Sequence, residues 1–362
     1  MEYFTYLTND CNLHCKYCSV LTDCQKNNLP IRPMYSNNEY LTFIDRIQSV
    51  HDDNEVNIYF FGGEPSLEYE RSLSIVRAAN ETLAKKYQLG FVLHTNGLLL
   101  HKMPDELSNT LTLIMFSINF EKFPKHHLAN SYFQSIIDNS MIIKLKKNIP
   151  MIARLTITEE TSVYSEIMQI SHFFDLIYWQ IENCNSFSDF ESFYSSYTYE
   201  ISLLYTVWLD YFERGIMLKL IPFMAVIKFM FFHDRSSDEF SCGYRKGMIY
   251  IQTNGNCYAC SDNVEEGKHH IGSLQSGIQF DPIPLSSLKC TKCDYRNLCM
   301  GRCGRMHIEF DASHIDEYCR LNQSMFDLFL ADRPRLQQAI ERYPYYEKEV
   351  SDPILEYTEF TP

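Results

Sequence analysis

Thirteen cysteines stand in this chain of 362 residues, and ten of them fall into two ordered groups. Cys11, Cys15 and Cys18 form C-x3-C-x2-C directly after a short apolar run. Chance predicts roughly 0.02 occurrences of that spacing at this cysteine content. Three thiolates on one loop suffice to hold three irons of a four-iron cube and leave the fourth iron open to another ligand. Zinc asks for a fourth protein ligand, for which His14 inside the loop is the candidate.

The second group closes the chain's chemistry. Cys290, Cys293, Cys299 and Cys303 form C-x2-C-x5-C-x3-C, preceded by Cys242 and Cys260 and followed by Cys319. The four-cysteine core alone has a chance expectation of roughly 0.0006. C-x2-C pairs also build zinc ribbons, so iron clusters and zinc are the two readings of the block. Cys24 and Cys184 read as free thiols, and Cys257 as a spare thiol beside the block. The N-terminus begins Met-Glu-Tyr and runs straight into a strand-like segment without a signal peptide's basic and apolar regions. A cytoplasmic location is therefore expected, where thiols serve as ligands more often than as disulfides.

The elements that must carry these residues show a regular rhythm. Apolar strand-like runs lie at Tyr3–Leu7, Val56–Phe61, Phe91–His94, Leu111–Ile118, Met151–Ile157 and Leu176–Ile181. Helical periodicity fills stretches between them, such as Glu68–Tyr87 and Ser131–Lys147. Strands alternating with helices predict a parallel sheet, open or curved into a barrel, with ligands at the C-terminal strand ends. The turns Gly62-Gly63-Glu64-Pro65 and Thr95-Asn96-Gly97 fall there. Beyond residue 190 the spacing predicts helices over Phe190–Phe212 and Leu218–Phe232, a linker at Asp234–Phe240 and a hairpin at Ile249–Tyr258. One further helix is predicted over Leu321–Tyr343. The Cys-rich stretch has few apolar residues, so metal sites are expected to stabilise it. The expected division is 1–233, 234–325 and 326–362.

A net charge of −14 argues against phosphate-backbone binding, which needs clustered Lys and Arg. No membrane span is expected, because the most apolar run, Ile216–Phe232, is interrupted by Lys219, Pro222 and Lys228. His126-His127 and His269-His270 read equally as solvated turns or functional groups.

The segment Cys11-Asn12-Leu13-His14-Cys15-Lys16-Tyr17-Cys18, with an aromatic before the last cysteine, resembles the radical S-adenosylmethionine superfamily. The resemblance implies a partial (β/α)6 TIM-like barrel followed by a small Cys-rich SPASM domain with a β-hairpin and a C-terminal helix. It also implies a 4Fe-4S cluster whose open iron binds S-adenosylmethionine, the source of a 5′-deoxyadenosyl radical. By that likeness Gly62, Gly63 and Glu64 receive the cofactor's amino group, and Tyr17 lines the adenine. Ser117 and Arg154 resemble residues that hold ribose and carboxylate, with Thr95 and Ile181 as further contacts. An arginine inside an apolar strand needs a partner, so a structural ion pair is the rival reading of Arg154.

Residues 242–319 resemble the SPASM domain of radical S-adenosylmethionine peptide maturases, which carries two auxiliary 4Fe-4S clusters. The likeness assigns Cys290, Cys293, Cys299 and Cys319 to one cluster. It assigns Cys242, Cys260 and Cys303 to three irons of the other, three clusters in all. Some relatives supply a further cysteine near the first of the series; here Cys257 or Asp238 is the nearest substitute, or one iron is open.

The implied function is modification of a ribosomally made peptide or protein substrate, by thioether or carbon–carbon cross-linking. An external electron donor such as flavodoxin or ferredoxin is implied, with no nucleic acid or membrane partner. No peptide-recognition module is visible before Cys11. An anaerobic sulfatase-type maturase making formylglycine is the alternative within the family, and a zinc-binding regulatory protein the alternative outside it.

Overall fold

The computed structural model describes residues 1–20, 28–51, 53–118, 128–233, 240–245, 247–261, 268–357 and 361–362, with the backbone alone for 128–132, 146 and 285. They gather into two compact units, Met1–Ile152 with Tyr244–Pro282 and Ala153–Gly243 with Ile283–Pro362.

The first unit is built on parallel strands β1 (Glu2–Thr8), β2 (Glu55–Gly62), β3 (Gln88–Thr95) and β4 (Leu113–Ile118). Their registers pair Thr8 with Gly62, Phe60 with Leu93 and Thr95 with Phe116, so the C-terminal ends lie along one edge. Apolar residues run almost unbroken along each strand because both sheet faces are covered. Phe4 stacks on Tyr59 and Tyr250 with ring centroids 4.1 and 4.5 Å apart. The helix Asn37–His51 buries Tyr40, Leu41, Phe43, Ile44 and Ile47, the single stripe that a 3.6-residue period produces. A capping box starts it: Ser36 Oγ accepts from Glu39 N, and Glu39 Oε2 accepts from Ser36 N. The Ile114 amide donates to Pro150 O at 3.1 Å, leading into β5 (Met151–Ile157), which begins in this unit.

Four more strands complete the first unit's sheet: β7 (Met248–Ile251), β8 (Asn256–Tyr258), β9 (His270–Ser273) and β10 (Gly277–Ile278). β7 pairs in parallel with β1, Glu2 opposite Met248, and β8 to β10 follow as an antiparallel meander. The hairpin expected at Ile249–Tyr258 is β7 and β8, turning at Gly255 with φ +87°. The other side of β7 pairs with β1, a partner that the local residue pattern does not reveal.

The second unit holds the remainder of β5, β6 (Leu176–Ile181) and a helical layer. Glu182 N donates to Ile157 O at 2.9 Å at the strand ends. Helix Phe190–Glu213 starts at the Asp189 cap, whose Oδ1 accepts from Ser192 N. The segment expected as one helix over Leu218–Phe232 is an α-helix over Ile221–Ile227 followed by a π-turn over Lys228–Phe232. Pro222 sets the start, because a proline fits only the first turn. Likewise Leu321–Tyr343 is two helices, Ala312–Ala331 and Arg333–Arg342, broken at Asp332 before Pro334. No helix among the described residues is long and apolar enough to cross a membrane.

Trp208 is the hub of this unit's core. It is fully buried, stacks on Phe212 at 4.6 Å, meets Phe329 at 5.4 Å and Phe223 at 5.7 Å, and donates Nε1–H to Leu218 O. Trp208→Ala is expected to cost about 3–5 kcal/mol through the cavity it leaves. A denaturant midpoint unchanged from the parent chain would contradict that expectation.

Candidate cofactor site and cysteine clusters

The end of β2 crosses the end of β1 at backbone contact. Gly63 N donates to Thr8 O and Glu64 N to Asp10 O, each at 2.8 Å. A Cβ on Gly62 would stand 2.3 Å from Thr8 O, and one on Gly63 would stand 2.1 Å from Asp10 O. Gly62 also has φ +127°. Both glycines therefore serve the protein's own chain crossing, which fixes where Glu64 emerges.

Glu64 is buried, 2% exposed. Its Oε1 accepts from Ser66 N at 3.0 Å and Thr95 Oγ1 at 2.6 Å, and its Oε2 accepts from Asn96 N at 2.8 Å. Burial pushes this carboxyl's pKa up, and the hydrogen bonds from Asn96, Ser66 and Thr95 oppose the shift. A carboxylate held in this way suits a cationic partner, and an ammonium group is one. Thr95 braces Glu64. Asn96 extends the brace, donating Nδ2–H to Asn12 Oδ1 in the cysteine loop at 2.7 Å. The sequence assigns no role to Asn96, Ser66 or Asn12, although each stands in or beside a segment singled out there, the Thr95-Asn96-Gly97 turn, the Gly62–Pro65 turn and the cysteine loop.

Cys11, Cys15 and Cys18 are half-buried on the loop after β1. Leu13 N donates to Cys11 Sγ, and Cys18 N to Cys15 O. Burial pushes the Cys11 thiol up to about 12, helped by the negative charges of Glu64, Cys18 and Cys15 and opposed by the Leu13 amide. The three thiols and Glu64 thus share one electrostatic neighbourhood. Tyr17 is half-buried beside them, and His14 is exposed. Ser117 is exposed near the end of β4.

In the second unit, Arg154 Nη2 donates to Gln180 Oε1 at 2.6 Å, and its guanidinium lies 5.7 Å from the Tyr178 ring centroid. Ile181 is buried at the end of β6, its carbonyl accepting from Arg302 Nη2 at 2.9 Å. Cys290, Cys293, Cys299 and Cys319 stand together: burial raises Cys299 to about 12, and the charges of Cys319, Cys290 and Cys293 add to it. Cys242 and Cys303 are half-buried in this unit, while Cys260 is half-buried in the first.

Among the described residues, no three His, Cys, Asp or Glu side chains are grouped to hold a metal ion. A four-iron cube asks for thiolates at its corners, and thiols are the donor type that both cysteine groups offer.

Cys257 is fully buried, within electrostatic reach of Tyr3, Tyr35 and Tyr40, which makes it a core thiol. Cys184 is half-buried, 3.5 Å from Tyr318 Oη. His269 is buried and bonded to Tyr244 Oη at 2.7 Å, so it belongs to no solvated turn, whereas His270 is exposed. Cys24, Asp238 and the pair His126-His127 lie outside the described residues, as does most of the expected linker at Asp234–Phe240.

Residues 5–148 match the Radical SAM superfamily. No curated protein matches the chain's sequence. Among solved structures the fold is similar to hexahistidine-tagged anSMEcpe with bound AdoMet, at TM-score 0.73 and 17% identity over 99% of both chains. Native anSMEcpe with bound AdoMet and Cp18Cys peptide gives TM-score 0.69 and 18% identity over 94% of this chain and 99% of that one. Streptococcus suis SuiB bound to S-adenosylmethionine gives TM-score 0.52 and 14% identity over 83% of this chain and 72% of that one.

Residues 5–148 therefore resemble a radical S-adenosylmethionine domain, and the chain shares with these solved structures a mixed α/β fold with a parallel-sheet core. The matched superfamily is one of radical chemistry with S-adenosylmethionine and a 4Fe-4S cluster, which makes those the chemistry to test here.

Proposed function

We propose that this enzyme modifies a residue of a ribosomally made peptide, forming a thioether or carbon–carbon cross-link. The observation that carries the reading is the buried Glu64, held by Ser66, Thr95 and Asn96 and tied through Asn96 to the loop of Cys11, Cys15 and Cys18. Bound there, S-adenosylmethionine and a reduced 4Fe-4S cluster supply a 5′-deoxyadenosyl radical that removes a hydrogen atom from the substrate. Cys11, Cys15 and Cys18 hold that cluster, and Glu64 orients the cofactor's ammonium. Gly62 and Gly63 set Glu64's position, while Tyr17, Ser117, Arg154 and Ile181 line the remainder of the cofactor.

Cys290, Cys293, Cys299 and Cys319 hold one auxiliary cluster, and Cys242, Cys260 and Cys303 serve the other. With Cys257 in the core, the second of these has no spare cysteine from β8. The functional division 1–233, 234–325 and 326–362 follows these roles. The substrate loses two electrons and two protons in total: one hydrogen atom to the deoxyadenosyl radical, then an electron to an auxiliary cluster and a proton to solvent. A flavodoxin or ferredoxin in the cytoplasm supplies the reducing electron that starts each turnover.

A second reading, oxidation of Cys or Ser to formylglycine, draws support from the end-to-end likeness to anSMEcpe, an anaerobic sulfatase maturase. One experiment addresses both. Anaerobically purified protein is expected to hold about twelve irons per chain, three four-iron cubes. With S-adenosylmethionine and dithionite it should release 5′-deoxyadenosine. Incubated with the Cp18Cys peptide, a formylglycine enzyme exchanges the thiol for an aldehyde. A cross-linking enzyme removes two hydrogens from its own substrate and leaves that peptide's cysteine unoxidised. Bound zinc without a visible chromophore would sink both readings.

A further inference from the structure

Between Cys299 and Cys303 the chain makes three consecutive left-handed residues, Met300 (φ +49°), Gly301 (φ +70°) and Arg302 (φ +54°). Two of them carry side chains, and each such residue costs about 1–2 kcal/mol relative to right-handed backbone. Strain of that kind persists only where surrounding contacts hold it, and Arg302 has those contacts.

Arg302 is 6% exposed. Its Nη2 donates to Ile181 O at 2.9 Å, its Nη1 to Asn183 Oδ1 at 2.7 Å, and its Nε to Pro362 O at 2.6 Å. Its guanidinium carbon lies 4.5 Å from the Tyr318 ring centroid. The charge is thus desolvated and held in a fork that only arginine supplies.

This fork decides which way Asn183 faces. A guanidinium offers donors and no acceptor, so the atom of Asn183 that meets it must be the amide oxygen. The amide nitrogen is thereby turned away, and it points to Cys303 Sγ at 3.8 Å. The side-chain amide donates to a sulfur that the proposed function places on an auxiliary cluster. Arg302 also lies within electrostatic reach of Cys299, which that reading places on the other auxiliary cluster.

We propose that Asn183 and Arg302 are positioning residues that raise the reduction potential of the auxiliary cluster bound by Cys303. An N–H···S bond and a buried cation both favour the state with more negative charge on sulfur, which is the reduced one. The cluster then accepts an electron more readily. The same guanidinium clamps Ile181 and Asn183, so the end of β6 and the cysteine's hydrogen-bond donor keep one fixed geometry. The inference rests on the cluster reading given above.

The test is a redox titration of the reconstituted full chain followed by electron paramagnetic resonance. Asn183→Leu removes the donor. Asn183→Asp keeps an acceptor for Arg302 while losing the donor, so it guards against a variant that merely misfolds. Arg302→Lys retains a charge and loses the fork. All three should lower one auxiliary potential, by about a tenfold fall in reduced-to-oxidised ratio at fixed applied potential, 59 mV for one electron. The S-adenosylmethionine-binding cluster's potential and the iron content should stay at parental values. Parental auxiliary potentials in both Asn183 variants, at full iron content, would overturn the inference alone. A parent chain holding only about four irons overturns the auxiliary-cluster reading and this inference with it.

Discussion

Cys15→Ala is expected to abolish 5′-deoxyadenosine formation, with a fall of at least about 10³-fold, equivalent to some 4 kcal/mol or more of barrier. The expectation follows from the proposed role of the three thiols as the cluster's protein ligands. Cys11, Cys15 and Cys18 are half-buried on a loop held by bonds from Leu13 N to Cys11 Sγ, from Cys18 N to Cys15 O and from Asn96 Nδ2 to Asn12 Oδ1, none of which replaces a thiolate. A cube anchored by three thiolates has no substitute when one is removed, so iron content should fall by about four per chain. The matched control is Cys257→Ala, which removes a thiol fully buried in the core. That variant should lower stability slightly and leave iron and turnover unchanged. Iron analysis and deoxyadenosine release, measured together on both variants, decide the matter; a Cys15→Ala chain with parental values in both would remove the cluster assignment.

Gly63→Ala should be nearly as damaging, although it deletes no functional group. The added Cβ meets Asp10 O at 2.1 Å, and a backbone oxygen cannot rotate aside as a side chain can. The crossing must open, which breaks or lengthens the bonds from Gly63 N to Thr8 O and from Glu64 N to Asp10 O. We expect a loss of about 2–4 kcal/mol of stability from overpacking and two weakened hydrogen bonds. S-adenosylmethionine affinity should fall about 100-fold, because Glu64 leaves the position set by Thr95 and Asn96. Glu64→Gln separates the two effects. It keeps the crossing and loses the charge, so affinity should fall about 10- to 100-fold, the worth of one charge-assisted hydrogen bond. Equilibrium binding of S-adenosylmethionine and denaturant midpoints test both; a Gly63→Ala chain that binds like the parent would show that the crossing does not set Glu64.

The parallel strands and the cysteine order were legible because both are local. Alternation of apolar runs with helical periods located the expected barrel strands within a few residues, and Met151–Ile157 and Leu176–Ile181 match their observed bounds. Ligand spacing on a loop is likewise a property of adjacent residues. What escaped depends on distant partners. The likeness offers Thr95 as a cofactor contact, but its bond to Glu64 is invisible until that residue, which follows another strand, is placed against it. Arg302 reads as one more charge beside a cysteine until β6 and Tyr318 surround it. Two misses were readable after all. Asp311 caps the helix that begins at Ala312, and Pro334 marks the break that divides the expected Leu321–Tyr343 helix.

The pairing of β7 with β1 constrains the order in which the first unit can be completed. During synthesis β1 emerges first, yet its outer neighbour arrives only with Met248–Ile251. Until then that edge presents unpaired backbone amides and carbonyls on a nascent chain, the condition that favours misassociation with other strands. The second side of β1 is closed by one of the longest-range pairings in the chain, and such contacts form slowly. Edge protection thus falls in the same late window as the emergence of the cysteines from Cys242 onward. A ribosome stalled before residue 248 would hold a strand with one face of its ladder open.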